Sequence, residues 1–167
     1  MKREISSNSF LSQIGEYTHL WTENGSELFF TKDRVYKKYY CNDENLEKVN
    51  ILRSYELAKT YSLEIHEVTE QYIVSSTPKY KYSLLQYFLE IDVDKRKDGL
   101  VKYLSKINSL IDNLRKNNLF HDDLAFRNIC IDEQDNLHLI DFEELREGKQ
   151  KKSDYLLLVQ VINASEI

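Results

Sequence analysis

The sequence predicts an α+β fold of two small lobes: a five-stranded antiparallel sheet carrying one helix over residues 1–77, then a truncated, mostly helical half over residues 78–167. Three observations lead there. From Tyr17 to Tyr40, and again from Leu63 to Val74, the chain runs in short segments rich in Tyr, Phe, Val and Ile, separated by turn residues, which is the pattern of strands. Between them, residues 42–60 carry apolar side chains at helical rather than alternating spacing. Beyond Pro78 the helical period takes over, until two short apolar runs near Ile129 and Leu137 reintroduce strands.

Size and composition bound the possibilities. A chain of 167 residues supports one compact domain that buries about 70% of its unfolded surface, so two lobes must both be miniature. The net charge of −5 and sequence pI of about 5.4 supply no general attraction for nucleic acid, and no nucleic-acid partner is expected. Cys41 and Cys130 are the only cysteines and have no C-x-x-C spacing, which argues against a zinc site or a disulfide framework. No apolar run approaches the roughly 20 residues of a membrane span, and the N-terminus lacks the apolar core of a signal peptide. These features suit a protein of a reducing cytosol.

In order along the chain, residues 1–8 are polar and expected to be loosely held. YTHLW, ELFFT and RVYKKYY follow as three antiparallel strands, with turns at Glu23-Asn24-Gly25-Ser26 and Lys32-Asp33. In the third strand, alternation puts Val35, Lys37 and Tyr39 on one face and Tyr36 and Lys38 on the other. The helix of residues 42–60 has Leu46, Val49, Leu52 and Tyr55 or Glu56 at helical spacing. LEIHEV and QYIV complete five strands, with His66 expected on an exposed position, and Ser75-Ser76-Thr77-Pro78 reads as the connection between halves. Ser83 should cap the helix LLQYFLEI, and Asp98 a longer one whose Leu100, Leu104, Ile107, Ile111 and Leu114 form a core stripe. Near the end, Lys149, Lys151 and Lys152 form a basic turn, and Ser153 is placed to cap a last helix, DYLLLVQVI.

The chemistry lies in LFHDDLAFRNICIDEQDNLHLIDFEEL, residues 119–145. His121, Asp123 and Asn128 fall in the order H-x-D-x-x-x-x-N. Ile129 to Ile131 and Leu137 to Ile140 are apolar runs joined by the polar turn of residues 132–136, so a tight hairpin should fold Asp141-Phe142 back beside Asn128. Transfer of a γ-phosphoryl group needs a carboxylate to accept the proton of the acceptor hydroxyl and oxygen ligands to hold Mg²⁺ against the phosphates. Asp123 suits the first task, and Asn128 with Asp141 the second, because Mg²⁺ prefers few carboxylates and completes its octahedron with phosphate and water. Isolated Asp and Asn residues are ordinary turn formers; it is their joint register with the hairpin that points to phosphoryl transfer.

Taken together, VYKKYY, the H-x-D-x-x-x-x-N loop, IDF and SDYLLL make the chain resemble the protein-kinase-like superfamily, and in particular the miniature kinases that bacteria inject into host cells as type III effectors. The resemblance implies an ATP- and Mg²⁺-dependent protein kinase, secreted into the host cytosol and acting on a host protein. Lys37 would hold the nucleotide phosphates, with Lys38 the competitor, and an orienting glutamate would come from Glu56, 19 positions later, or from Glu47. Gly25 would stand for the glycine-rich loop or simply supply the turn, with Gly15 a weaker alternative. Asp154 would correspond to the aspartate that braces the catalytic loop from below. Asp122 stands where regulated kinases carry an arginine that meets a phosphorylated loop, Glu143 replaces the glycine of D-F-G, and no A-P-E segment follows. Control by loop phosphorylation is therefore not expected; the enzyme would be constitutively poised or activated by a partner protein. Arg127 before Asn128 is shared with tyrosine kinases and with small phosphotransferases that act on sugars. A lipopolysaccharide-core sugar kinase and a pseudokinase that only binds are the competing expectations.

Overall fold

A computed structural model describes residues 10–22, 25–41 and 45–148. The chain divides into two units, residues 1–49 with 62–79 and residues 50–61 with 80–167. The chain changes unit after residues 49, 61 and 79, so the boundary expected at residues 77/78 lies beside the last of these changes, while residues 50–61 belong to the second unit. The expected helix from Ser153, with Asp154, and the lysines at 149, 151 and 152 lie outside the described residues, as do residues 1–8.

The first unit is built on the expected antiparallel sheet. Its strands are β1 (Thr18–Trp21), β2 (Glu27–Phe30), β3 (Arg34–Tyr40), β4 (Glu64–Val68) and β5 (Tyr72–Pro78), in the order β1-β2-β3-β5-β4. The β1–β2 hairpin closes through Thr22, whose N–H donates to the Ser26 carbonyl at 2.9 Å and whose hydroxyl accepts from the Ser26 N–H at 3.0 Å. Strand β5 is longer than expected. Ser75, Ser76, Thr77 and Pro78 do not form the connection but pair with Lys37, Tyr36, Val35 and Arg34, so the sheet ends only at Pro78, where the missing N–H suits a strand terminus. Both serines are buried. His66 is exposed, as expected, beside a register shift in β4, and its Nε2 lies 2.7 Å from Ser76 Oγ while the Phe10 ring packs on it and on Tyr36.

Helix α1 (Asn45–Ala58) starts in the first unit and ends in the second. Its buried stripe is Ile51, Ser54, Tyr55 and Ala58, spaced i, i+3, i+4, i+7, whereas Val49 of the expected stripe is exposed. The second unit continues with β6 (Tyr82–Ser83) and α2 (Leu84–Glu90). Ser83 caps α2 as expected: its hydroxyl accepts from the Gln86 N–H at 3.1 Å, and its own N–H donates to Gln86 Oε1 at 3.2 Å.

Helix α3 (Arg96–Lys116) begins two residues before Asp98, which therefore sits inside the first turn, where an acid suits the helix dipole, and not at the cap. Its core stripe is Leu100, Tyr103, Ile107 and Leu114, and Leu104 is 41% exposed. Tyr103 displaces leucine from the core because its hydroxyl has a partner: it donates to Asp135 Oδ1 at 3.0 Å in the turn of the hairpin β8 (Ile129–Ile131) and β9 (Leu137–Leu139). Gly99 lets α2 approach α3, since a Cβ there would lie 3.0 Å from the Tyr87 ring. Two short strands not evident in the sequence, β7 (Leu119–His121) and β10 (Leu145–Glu147), pair antiparallel with Leu145 opposite His121. Among the described residues no helix is long and apolar enough to cross a membrane.

Candidate active site

His121 is the bolt of the second unit's site. It ends β7, is fully buried, and turns Nε2 toward the carbonyl oxygens of Ile140 (3.2 Å) and Asp141 (3.0 Å). Both are acceptors, so Nε2 carries the proton. Nδ1 in turn accepts the Asp123 N–H at 3.2 Å. That division of roles defines one neutral tautomer, and burial pushes the imidazole pKa below its ordinary value, keeping it neutral. One side chain thus ties the backbone of Asp123 to that of Asp141.

A second tie runs through Asn128. The turn Phe126–Asn128 points its amide back, and Nδ2 donates to the Asp123 carbonyl at 2.9 Å and to Asp123 Oδ2 at 2.8 Å. The hairpin then returns the chain so that the Ile140 N–H donates to the Asn128 carbonyl at 2.9 Å, placing Asp141 beside Asn128 as the turn chemistry predicts. Asp132 makes that return tight, because its Oδ1 accepts the N–H groups of Gln134 (2.9 Å) and Asn136 (2.8 Å). Asp123, Asn128 and Asp141 therefore belong to one hydrogen-bonded frame. Arg127 adds a feature the sequence left open: its guanidinium reaches both carboxylate oxygens of Asp123 at 2.6 Å.

The segment after Asp141 is pinned by residues that sequence reasoning missed. Tyr55, buried on α1, donates its hydroxyl to Glu143 Oε1, and Glu143 is itself buried rather than a surface charge. Arg146 donates to the Glu143 carbonyl and to Ser54 Oγ (2.8 Å), and lies 3.6 Å from Asp122 Oδ2 and 3.2 Å from Glu144 Oε2. Asp122 and Arg146 thus form an ion pair between the loop of residues 121–128 and the segment after Asp-Phe, with unmodified side chains. The only signal for it in the sequence is the acid at 122 where an arginine is usual.

Within the first unit, Lys37 lies on the same sheet face as Ser75 and Tyr39, with Nζ 5.9 Å from the centre of the Tyr39 ring. The Tyr39 hydroxyl donates to Glu47 Oε1 at 2.9 Å, which links a carboxylate of α1 to a residue on the Lys37 face. Glu56 lies nine positions further along α1, half a rotation away on the helix at about 100° per residue. It pairs with Lys59 at 2.6 Å, with its side chain 59% exposed. Lys38 points to the opposite face, buried between Tyr40 (5.0 Å) and Tyr72 (4.1 Å), and burial lowers its pKa against the pull of Glu27 and Glu67. Gly25 adopts φ +79° with no neighbour near an added Cβ, so the turn itself requires the glycine.

The donor set suits Mg²⁺. The Asn128 amide nitrogen is committed to Asp123, which leaves its oxygen, with the Asp141 carboxylate, as hard ligands of total charge −1. Among the described residues no group of three or more His, Cys, Asp and Glu side chains is placed to hold a metal ion.

No protein-family model and no curated protein matches the chain. Solved structures do. WbdD co-crystallised with a kinase inhibitor is 21% identical with a TM-score of 0.59, covering 87% of this chain and 35% of that one. A structure of WbdD described as a bifunctional kinase-methyltransferase is 21% identical with a TM-score of 0.53, covering 84% and 34%. A third structure of WbdD is 20% identical, TM-score 0.56, covering 92% and 37%. The chain spans about a third of the length of these proteins, and the likeness is one of fold: the expected kinase-like α+β architecture is present.

Proposed function

We propose that this protein is an ATP- and Mg²⁺-dependent phosphotransferase, and specifically a protein kinase whose acceptor is a hydroxyl of a host protein, delivered as a type III effector. The observation that carries phosphoryl transfer is the frame in which His121 and Asn128 lock Asp123 and Asp141 together. The kinase-like fold of the solved neighbours supports it.

In this reading Asp123 accepts the proton of the attacking hydroxyl, and Asn128 holds the carboxylate in place while its oxygen, with Asp141, would hold the metal. Lys37 would hold the nucleotide phosphates, with Glu47 acting on it through Tyr39. When bound, Mg²⁺·ATP supplies the phosphoryl group and the positive charge that offsets its oxygens. Arg127, beside the base, offers a cation where negative charge develops during transfer. Because Asp122 already has its partner in Arg146, the loop needs no phosphate to be held, which supports a constitutively poised enzyme.

A saccharide or other small-molecule acceptor is the second reading. The Arg127–Asp123 contact is compatible with it as well as with the first, since arginine at this position is shared by tyrosine kinases and sugar phosphotransferases. Incubation with γ-labelled ATP, offering host-cell lysate in one arm and lipopolysaccharide core in the other, separates the two. Label in a protein band with wild type but not with Asp123→Asn supports the protein kinase, and label in the saccharide supports the second reading. Nucleotide binding with transfer in neither arm would leave a pseudokinase.

A further inference from the structure

Asp141 occupies the left-handed region, φ 62° and ψ 53°, which a residue with a Cβ adopts only when its surroundings hold it there. The carbonyl of Asp141 is held on the hairpin side by His121 Nε2 at 3.0 Å. On the other side the chain enters the tight turn Phe142–Glu144, where the usual glycine is replaced by Glu143. A carboxylate buried two residues from a metal ligand is not a neutral replacement for hydrogen. Burial makes a hydrogen-bond donor valuable to it, and Tyr55 of α1 donates its hydroxyl to Oε1, while Arg146 donates to the Glu143 carbonyl.

We infer that Tyr55 and Glu143 are a positioning pair for the metal site: the tyrosine hydroxyl, through the Glu143 carboxylate, holds the turn after Asp141 and so aims the Asp141 carboxylate. This deepens the phosphotransferase reading and rests on it. A glycine at this position leaves a loop free to reorient, whereas Glu143 converts that freedom into a link to a buried helix face. Two observations support a link and not mere packing. Tyr55 is 1% exposed, so its hydroxyl has no solvent alternative, and the contact joins residues 88 positions apart at the point where the backbone leaves its left-handed turn.

The test is a titration of the full chain with Mn²⁺ in the presence of a non-hydrolysable ATP analogue, reading free Mn²⁺ by electron paramagnetic resonance, with a thermal melt of each variant. Loss of a group that orients a metal ligand costs about tenfold or more in metal affinity. Tyr55→Phe, which keeps the ring and so the packing, should weaken Mn²⁺ binding by about that factor. Glu143→Gln retains an oxygen for the hydroxyl and should stay within about threefold of wild type. Glu143→Gly, which restores the common residue but deletes the link, should behave like Tyr55→Phe and gives a second measurement should that variant not fold. Mn²⁺ affinity unchanged in Tyr55→Phe and Glu143→Gly, with only the melting temperature lowered, overturns the inference and leaves phosphoryl transfer standing. A folded wild type that binds no Mn²⁺·nucleotide overturns both.

Discussion

Asp123→Asn separates a catalytic from a structural role for Asp123, because the structure bounds what the substitution can do to the fold. Asp123 receives Asn128 Nδ2 on Oδ2 at 2.8 Å and Arg127 on both oxygens at 2.6 Å. Asparagine can place its oxygen at the Oδ2 position and keep the Asn128 bond, so only the Arg127 contact at Oδ1 is lost. That contact is half-exposed, with the arginine side chain 55% accessible, and pairs of this kind contribute about 1 kcal/mol or less. For a chain of this size the melting temperature should fall by no more than about 2–4 °C. Transfer, by contrast, loses its proton acceptor, an effect of roughly 10²- to 10⁴-fold. At about 1.4 kcal/mol per decade this is roughly 3–5.5 kcal/mol of barrier, several times the stability change. Initial rates of labelled phosphate transfer beside a melting curve read both quantities on one preparation. Turnover within tenfold of wild type, in a protein that melts normally, would remove Asp123 from the role of base.

Other outcomes follow from the same geometry. Lys37→Ala should lower transfer by roughly 10²-fold, on the scale of losing one electrostatic stabiliser, with little effect on melting; Lys38→Ala should do the reverse, lowering the melting temperature more than Lys37→Ala because it empties the space between Tyr40 and Tyr72. Tyr103→Phe removes a buried hydroxyl that donates to a carboxylate and should cost about 1.5 kcal/mol, or about 3–6 °C, while Lys102→Ala, an exposed pair with the same Asp135, should cost under about 1 kcal/mol. Acid should act on the hairpin turn. The His138 hydrogen bond holds Asp132, and the Lys102 hydrogen bond holds Asp135, below the ordinary carboxylate value of 3.8, so the folded form favours both ionised. Their contribution is complete above that value and is lost as pH falls below it toward the lower folded values; denaturation measured across the acid range should show a fall that Asp132→Asn flattens.

Much of the sheet and the hairpin was legible because strand alternation and turn chemistry act over a few residues. Asp132 and Asn136 specify the turn between β8 and β9 whatever surrounds them, and that turn alone brings Asp141 to Asn128. The face that α1 buries was not legible. Leu46, Val49, Leu52 and Tyr55 make as good a stripe as Ile51, Ser54, Tyr55 and Ala58, and choosing between them requires knowing what lies opposite. The same ambiguity left Glu47 and Glu56 open, two acids on opposite sides of one helix. Strand β5 ran past its expected end because serine and threonine suit a turn in isolation but pair readily in a ladder when β3 is already there to receive them.

The sequence by itself determined the residue types of the proposed phosphoryl-transfer site, their register, the five strands and the α+β class, since each depends on side-chain chemistry and short-range period. Only the tertiary structure decided that Tyr55 meets Glu143, 88 positions away, that Arg146 reaches back 92 positions to Ser54, and that Tyr103 rather than Leu104 enters the core. Those choices depend on which faces packing brings together, and a buried polar group takes whichever partner is then within reach.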